Sequence, residues 1–466
     1  MGPPPAARQG GGKRNPLGSA PILGLMIQFA IPSVVGMLVT AAYNITDQIF
    51  IGNLVGMLGN AATTVSFPIF FLTSGLSQLV GVGMSANFSI NQGARQEEKA
   101  KKFVTTGLAL TVIAGLFLLF VAVVFRRQIL LLGGATETVY PYALAYFSIT
   151  AIGLPFQIFS LALSYLIRAD GSPLFAMVIT ASGAGLNILL DWWFMAGLGW
   201  GIRGAAIATV IGQVVSAALC VVYLTRFKAF KLRLGEIRPD GAYTPGILKL
   251  GLANFVNHAL MMVMLLVLNN LLTRYGAMTE FGSDIPLAVA GVSSKLNTIL
   301  VAFNVGIALG CQPIWGFNLG AKQYDRVKET YRKGVLASLV IGLVFLLLLQ
   351  LFPRPIFALF GAGDELYFRF AERYLRIYYL MVWAHGIQPL SVNYFTGTGN
   401  VKHGLILTFS RQGFLLIPLL LILPHFLGLD GILAASPIAD AAATALSLGL
   451  VVHSFKTMGQ DTPEAT

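Results

Sequence analysis

The sequence predicts an all-α membrane protein with twelve transmembrane helices in two pseudo-symmetric six-helix lobes. Three observations lead there. The 466 residues are 56% apolar and only 11% charged, where a soluble domain carries roughly 25% charged residues. The apolar residues are gathered into long runs, and a helix needs about 20 of them to cross a bilayer. The chain also repeats its own landmarks at a fixed offset. The net charge of +12 would suit a nucleic-acid binder in a soluble protein. Here the basic residues sit in short segments between apolar runs, where they set membrane orientation. No nucleic acid is expected as a partner.

Residues 1–15, rich in Gly, Pro and Arg, read as a disordered cytoplasmic tail. No small-residue cleavage site follows a short apolar core, so the first helix is read as an uncleaved insertion signal. The crossing segments then run over about 22–51, 61–88, 103–125, 139–167, 174–198, 204–226, 246–273, 285–315, 333–352, 367–395, 402–426 and 430–455. Several exceed the bilayer thickness, so tilt or kinking is expected. Pro32, Pro68 and Pro155 each remove a helix donor and are candidate kinks. Cys220 and Cys311 fall in apolar runs and imply no disulfide framework.

Lys and Arg cluster at 95–102, 226–238 and 322–333, against scattered Arg126, Arg127, Arg203, Arg274, Arg354 and Arg369 on the other side. The positive-inside rule then puts both termini in the cytoplasm. After the second segment comes Asn91-Gln92-Gly93-Ala94-Arg95, and after the eighth Asn318-Leu319-Gly320-Ala321-Lys322. Gly93 and Gly320 are 227 positions apart, Gly171 and Gly399 are 228, and Gly204 and Gly431 are 227. An even number of helices per repeat leaves the halves in the same orientation, with cargo handled between them near the midplane. The division expected is an N-terminal lobe over 16–230, a cytoplasmic linker over 231–244, a C-terminal lobe over 245–456 and a cytoplasmic tail over 457–466.

Charged residues inside hydrocarbon cost a few kcal/mol and mark function by default. In the first half the polar positions within helices are Asp47, Tyr146, Asn187, Asp191 and Thr209. Asn187 and Asp191, four apart, share one helix face. With Asp47 they would form an oxygen-lined pocket. Two carboxylates brought together do not both ionise easily, which makes a proton acceptor for neutral pH. Oxygen ligands from Asp47, Asn187, Asp191 and Thr209 would equally suit sodium. The bland alternatives are a hydrogen-bonded acid near the outer surface for Asp47 and an interfacial residue beside Trp192 and Trp193 for Asp191. In the second half Lys295, Arg411 and Asp440 form a candidate charge network, with Asp440 neutralising one of the two bases. Met261, Met262 and Met264 are candidates to line a pliable cavity, with lipid-facing packing as the alternative.

The chain lacks a G-x-x-x-x-G-K-[ST] phosphate loop, an H-E-x-x-H and a G-x-S-x-G. His258, His385, His403, His425 and His453 have no ligand spacing. No enzyme activity, structural metal or cofactor is expected.

Pro32 to Gly52, Gly93-Ala94, Gly171-Ser172-Pro173, Asn187 to Asp191 and Gln312-Pro313-Ile314-Trp315-Gly316-Phe317-Asn318-Leu319-Gly320-Ala321 together resemble the multidrug and toxic compound extrusion (MATE) family, nearest its DinF-like branch. The resemblance covers essentially the whole chain after the tail. It implies a V-shaped antiporter of the plasma (inner) membrane, a monomer that expels cationic or amphipathic organic compounds against protons or sodium. It places ion coupling at Asp47, Asn187 and Asp191, with Tyr146 and Thr209 beside them; Pro32, near the start of the first helix, is read as its hinge. The branch has a further helix-four asparagine that this chain lacks; Gln157 and Ser164 are the nearest polar residues. The other main branch couples through a glutamate in helix seven, and 246–273 holds no acid. A flippase for lipid-linked saccharides or other lipids is the nearest rival reading, and a passive channel the second.

Overall fold

The computed structural model describes residues 15–359 and 364–459. Most of the expected tails, 1–15 and 457–466, therefore lie outside the described residues. Among the described residues the chain is helical and has no strand. Lipid offers backbone groups no hydrogen-bond partner, so each crossing segment must close its own ladder. The first half comprises α1 (Ile22–Leu54), α2 (Phe67–Gly93), α3 (Glu97–Val124), α4 (Tyr140–Ala169), α5 (Pro173–Asp191) and α6 (Gly201–Leu224). The second comprises α7 (Thr244–Gly276), α8 (Asp284–Gly320), α9 (Tyr324–Leu351), α10 (Glu365–Tyr378), α11 (Ile387–Gly397), α12 (Val401–Leu427) and α13 (Leu429–Thr457).

Eleven helices among the described residues are long and apolar enough to span a bilayer. The remaining expected crossing, 367–395, is not one helix. It is α10 and α11, parted by turns over 379–386. The cause is polar. Arg354 pairs with Glu365 at 2.7 Å and with Glu372, Arg369 pairs with Glu280 at 3.2 Å, and Arg373 pairs with Asp430. These pairs hold α10 in an ionic cap, while α11 is buried along nearly its whole length. The expected 61–88 helix also divides, into a short helix Met57–Val65 and α2. Pro68 lies in the first turn of α2, where a missing N–H leaves no ladder bond unmade, so it starts a helix and does not kink one. Pro32 and Pro155 do lie within α1 and α4. Beside Pro32, the Ser33 hydroxyl donates to the Phe29 carbonyl at 2.8 Å.

The repeat is visible in the backbone. Arg95 and Lys322, both non-glycine, share φ 58°, and Gly171 and Gly399 have φ 78° and 79°. The halves meet by α1 packing on α8 and α2 packing on α7. The chain thus crosses between cores. Leu25, Met26 and Phe29 of α1 are buried with Ile307, Trp315 and Leu390 of the second half. Ile51, at the other end of α1, is buried in the core of the first half. Pro32 lies between these two anchorages. The seam is tight where α2 and α8 end: a Cβ on Gly93 would sit 1.9 Å from the Phe317 carbonyl oxygen, and one on Gly320 would sit 1.9 Å from that of Ile90. Each half presents the same glycine to the other. At this end Arg326 also donates to the carbonyls of Leu17 (3.0 Å) and Ala20 (2.7 Å), tying the N-terminal turn to α9.

Asp170, just beyond α4, accepts from Tyr223 Oη (2.7 Å), Lys228 N (2.8 Å) and Ala229 N (3.1 Å), which clamps the segment after α6. Burial pushes its carboxyl up to about 6, and the three hydrogen bonds and Lys228 only partly offset it. A carboxyl whose folded value is raised binds its proton more tightly in the folded state. Its contribution to stability is full below the ordinary carboxylate range and is lost as pH rises through about 6. Thermal midpoints in detergent are expected to fall between about pH 4 and 6, and Asp170→Asn to flatten that fall. An unchanged slope in Asp170→Asn would mean the drop arises elsewhere.

Candidate functional site

α1, α4, α5 and α6 converge on the five polar positions expected in the first half. Asp47, Tyr146, Asn187, Asp191 and Thr209 are all buried, with Asp191 fully so at 0% exposure. Helical spacing puts Asn187 and Asp191 on one face of α5. Asn187 Nδ2 donates to Thr209 Oγ1 across to α6 at 3.3 Å. The carboxyl of Asp47 lies beside that of Asp191, with the phenols of Tyr43 and Tyr146 bordering both. From Trp192 the helix loosens into a π-helical stretch to Gly197, so Asp191 ends the regular part of α5. Such stretches recur at functional sites.

The acceptor balance is unusual. Asp47 Oδ1, Asn187 Oδ1 and both oxygens of Asp191 are buried with no hydrogen-bond donor among the described residues. Buried acceptors are nearly always satisfied, and leaving one unmet costs about 1–3 kcal/mol, more when charged. Two adjacent buried carboxylates also repel. A proton or a hard cation placed among these oxygens removes both costs. Among the described residues no group of three His, Cys, Asp or Glu is arranged to hold a metal ion; the candidate cation ligands are two carboxylates helped by amide and hydroxyl oxygens.

Next to these residues lies a cavity of about 110 Å³, lined by Tyr43, Asn187, Thr209, Gln157, Ser164 and Gln213 among others. Gln213 Nε2 donates to Gln157 Oε1 at 3.2 Å, so the glutamine that stands near the missing asparagine is engaged with α6. Sequence reading passed over Tyr43. Its signal was the i, i+4 spacing to Asp47, which places both on one face of α1.

In the second half Arg411 Nε donates to Asp440 Oδ1 at 2.6 Å. Lys295 lies on an exposed part of α8. Met261 and Met264 line a larger cavity between the halves, together with Met37 and Gln78 of the first half.

The MatE family model matches residues 32–193 and 254–422, a stretch in each half. The chain is 26% identical over 435 residues to the multidrug export protein MepA of Staphylococcus aureus (strain MRSA252), covering 93% of this chain and 94% of that protein. It is 26% identical over 432 residues to MepA of Staphylococcus haemolyticus (strain JCSC1435), covering 92% and 93%. In fold it is similar to an outward-facing multidrug resistance MATE transporter of the MOP superfamily, with TM-score 0.89 and 23% identity over 97% of this chain and 99% of that one. A MOP superfamily transporter from Pyrococcus furiosus superposes with TM-score 0.87 at 23% identity, covering 96% and 98%.

Proposed function

From the premise that this chain belongs to the MatE family, we propose that it is a secondary-active multidrug exporter working by alternating access. Its cargo is small cationic or amphipathic organic compounds. Protons drive it, and sodium is the alternative ion. The observation that carries the reading is the set of buried, donor-less oxygens on Asp47, Asn187 and Asp191. An ion placed among these oxygens offsets their unmet demand, and a site that gains and loses an ion is what coupling requires. The near full-length similarity to MepA, a multidrug export protein, supports the cargo class.

In this reading the lobes 16–230 and 245–456 move as units about the linker 231–244. Both termini face the cytoplasm of a plasma-membrane monomer. Ion binding at Asp47 and Asp191 alters the set of α1, whose two ends are anchored in different cores, and Pro32 is the hinge between them. Pro32→Ala restores one ladder bond to the α1 interior, where a proline costs about 3 kcal/mol. It is expected to raise the melting temperature and slow turnover about tenfold, the rate change for about 1.4 kcal/mol of added barrier, with drug affinity nearly unchanged. Equal turnover in both proteins would remove the hinge.

The test of the function is efflux of one fluorescent organic cation from proteoliposomes under separately imposed proton and sodium gradients. Flux that follows one gradient and stops when it collapses supports an antiporter and names the ion. Flux indifferent to both gradients sinks the antiport reading.

A further inference from the structure

The cavity between the halves measures about 240 Å³, near the lower end of drug-sized sites, roughly 300–1,000 Å³. Its wall in the second half is charged but balanced. Arg411 and Asp440 are paired there, so the wall offers no net charge to a simple cation. Of the five donors on a guanidinium, only the Nε–H of Arg411 is hydrogen-bonded among the described residues. Its two terminal nitrogens keep their donors for another acceptor. In the same wall Asn393 Oδ1 and Gln412 Oε1 are buried acceptors without a donor among the described residues. Those two side chains are 6% and 5% exposed. Arg411 and Gln412 both stand in the π-helical stretch Phe409–Leu416 of α12; a π-turn offsets side chains from regular helical register.

The two kinds of unmet demand are opposite in sign. The guanidinium edge calls for an anionic acceptor such as a carboxylate, best met by two parallel N–H donors. The amide oxygens call for an N–H donor. A monocation could satisfy the amides but would face Arg411, or would have to take Asp440 from it and leave a buried base unpaired, a costly outcome. A molecule carrying both groups meets the demands of Arg411, Asn393 and Gln412 and leaves the ion pair intact. We infer that the cavity is a recognition site for amphoteric organic molecules, with Arg411 holding the carboxylate and Asn393 and Gln412 receiving the ammonium or N–H end. Asp440 is a positioning residue that fixes the guanidinium through Nε. Met261 and Met264 supply a deformable apolar wall. This deepens the exporter reading by naming a cargo class, and it rests on that reading only for the step after binding.

The test is equilibrium binding to the full chain in lipid nanodiscs, read by fluorescence anisotropy, with two probes. Nε-dansyl-lysine carries an ammonium and a carboxylate, and dansylcadaverine lacks only the carboxylate. Wild-type protein is expected to bind dansyl-lysine about tenfold more tightly, the discrimination a charge-assisted bidentate contact provides. Arg411→Gln should erase or reverse that preference, weakening dansyl-lysine while leaving dansylcadaverine equal or tighter. Should Arg411→Gln fail to fold, Arg411→Gln with Asp440→Asn removes both charges together, and it should bind the two probes equally. No preference in wild type, parallel changes of both probes in Arg411→Gln, or a preference kept in the double variant would each overturn the inference. Because binding is read without a gradient, failure of gradient-driven transport would leave this result standing.

Discussion

In proteoliposomes with an imposed ion gradient, Asp191→Asn and Asp47→Asn are each expected to lower drug efflux by about tenfold or more, as for a transport carboxylate that no longer exchanges its ion. The reasoning is specific to this pair. Asparagine keeps the shape and much of the hydrogen-bonding capacity of a protonated aspartate. Each variant therefore imitates the ion-loaded site and should fold, since it relieves the repulsion between two buried carboxyls. It fails at release. Drug binding at equilibrium should persist, and the residual flux should no longer follow the gradient. Asp191 is fully buried and neither of its oxygens meets a donor among the described residues, so its variant should be the more severe and also the more thermostable. Tyr43→Phe, which removes a bordering hydroxyl and no ion ligand, should cost less. Wild-type coupled efflux in both Asp variants would place coupling elsewhere in the chain.

Much of the candidate pocket was legible because membranes penalise the residues that make it. A carboxylate in a run such as 22–54 stands out against its apolar neighbours, and helical spacing joined Asn187 to Asp191. Tyr43 was hidden by the same logic, since a tyrosine in a membrane helix is ordinary at an interface. The repeat was legible through glycines, and the backbone gives the reason: Gly171 and Gly399 hold the same left-handed turn. The division of 367–395 was not read, although Glu372, Arg373 and Arg376 stood inside the span. The ionic partners of Glu372 and Arg373, which are Arg354 and Asp430, come from segments outside that span. Tertiary pairing decided a matter on which local hydropathy was ambiguous. The π-helical stretches at 192–197 and 409–416 leave no compositional trace, because a shift from i−4 to i−5 bonding changes register and not residue type.

The seam at the ends of α2 and α8 gives the second large expected effect. Gly93→Ala with Gly320→Ala should force that end of the molecule apart. A methyl group at either position would stand 1.9 Å from a carbonyl oxygen of the facing half, and backbone atoms there cannot rotate away as a flexible side chain can. Overpacking of this kind costs about 1–3 kcal/mol per site. Because the sites are repeat-related and press on one closure, the costs fall on the same conformational state. A bias of about 2–6 kcal/mol moves a two-state population by roughly 30-fold or more. Ser89 reports on it: its side chain is buried in the seam beside Gly316 at 2% exposure. With the buried Cys220 and Cys311 as internal controls, a Ser89→Cys reporter should be almost unreactive toward a membrane-impermeant maleimide. It should label at least about fivefold faster in the glycine double variant, while efflux falls about tenfold because the closed state is no longer reached. Each single variant should lie between. Labelling that stays slow while efflux is lost would mean that the glycines are needed for folding and not for closure. Unchanged labelling with unchanged efflux would show that the halves do not part at this end during the cycle.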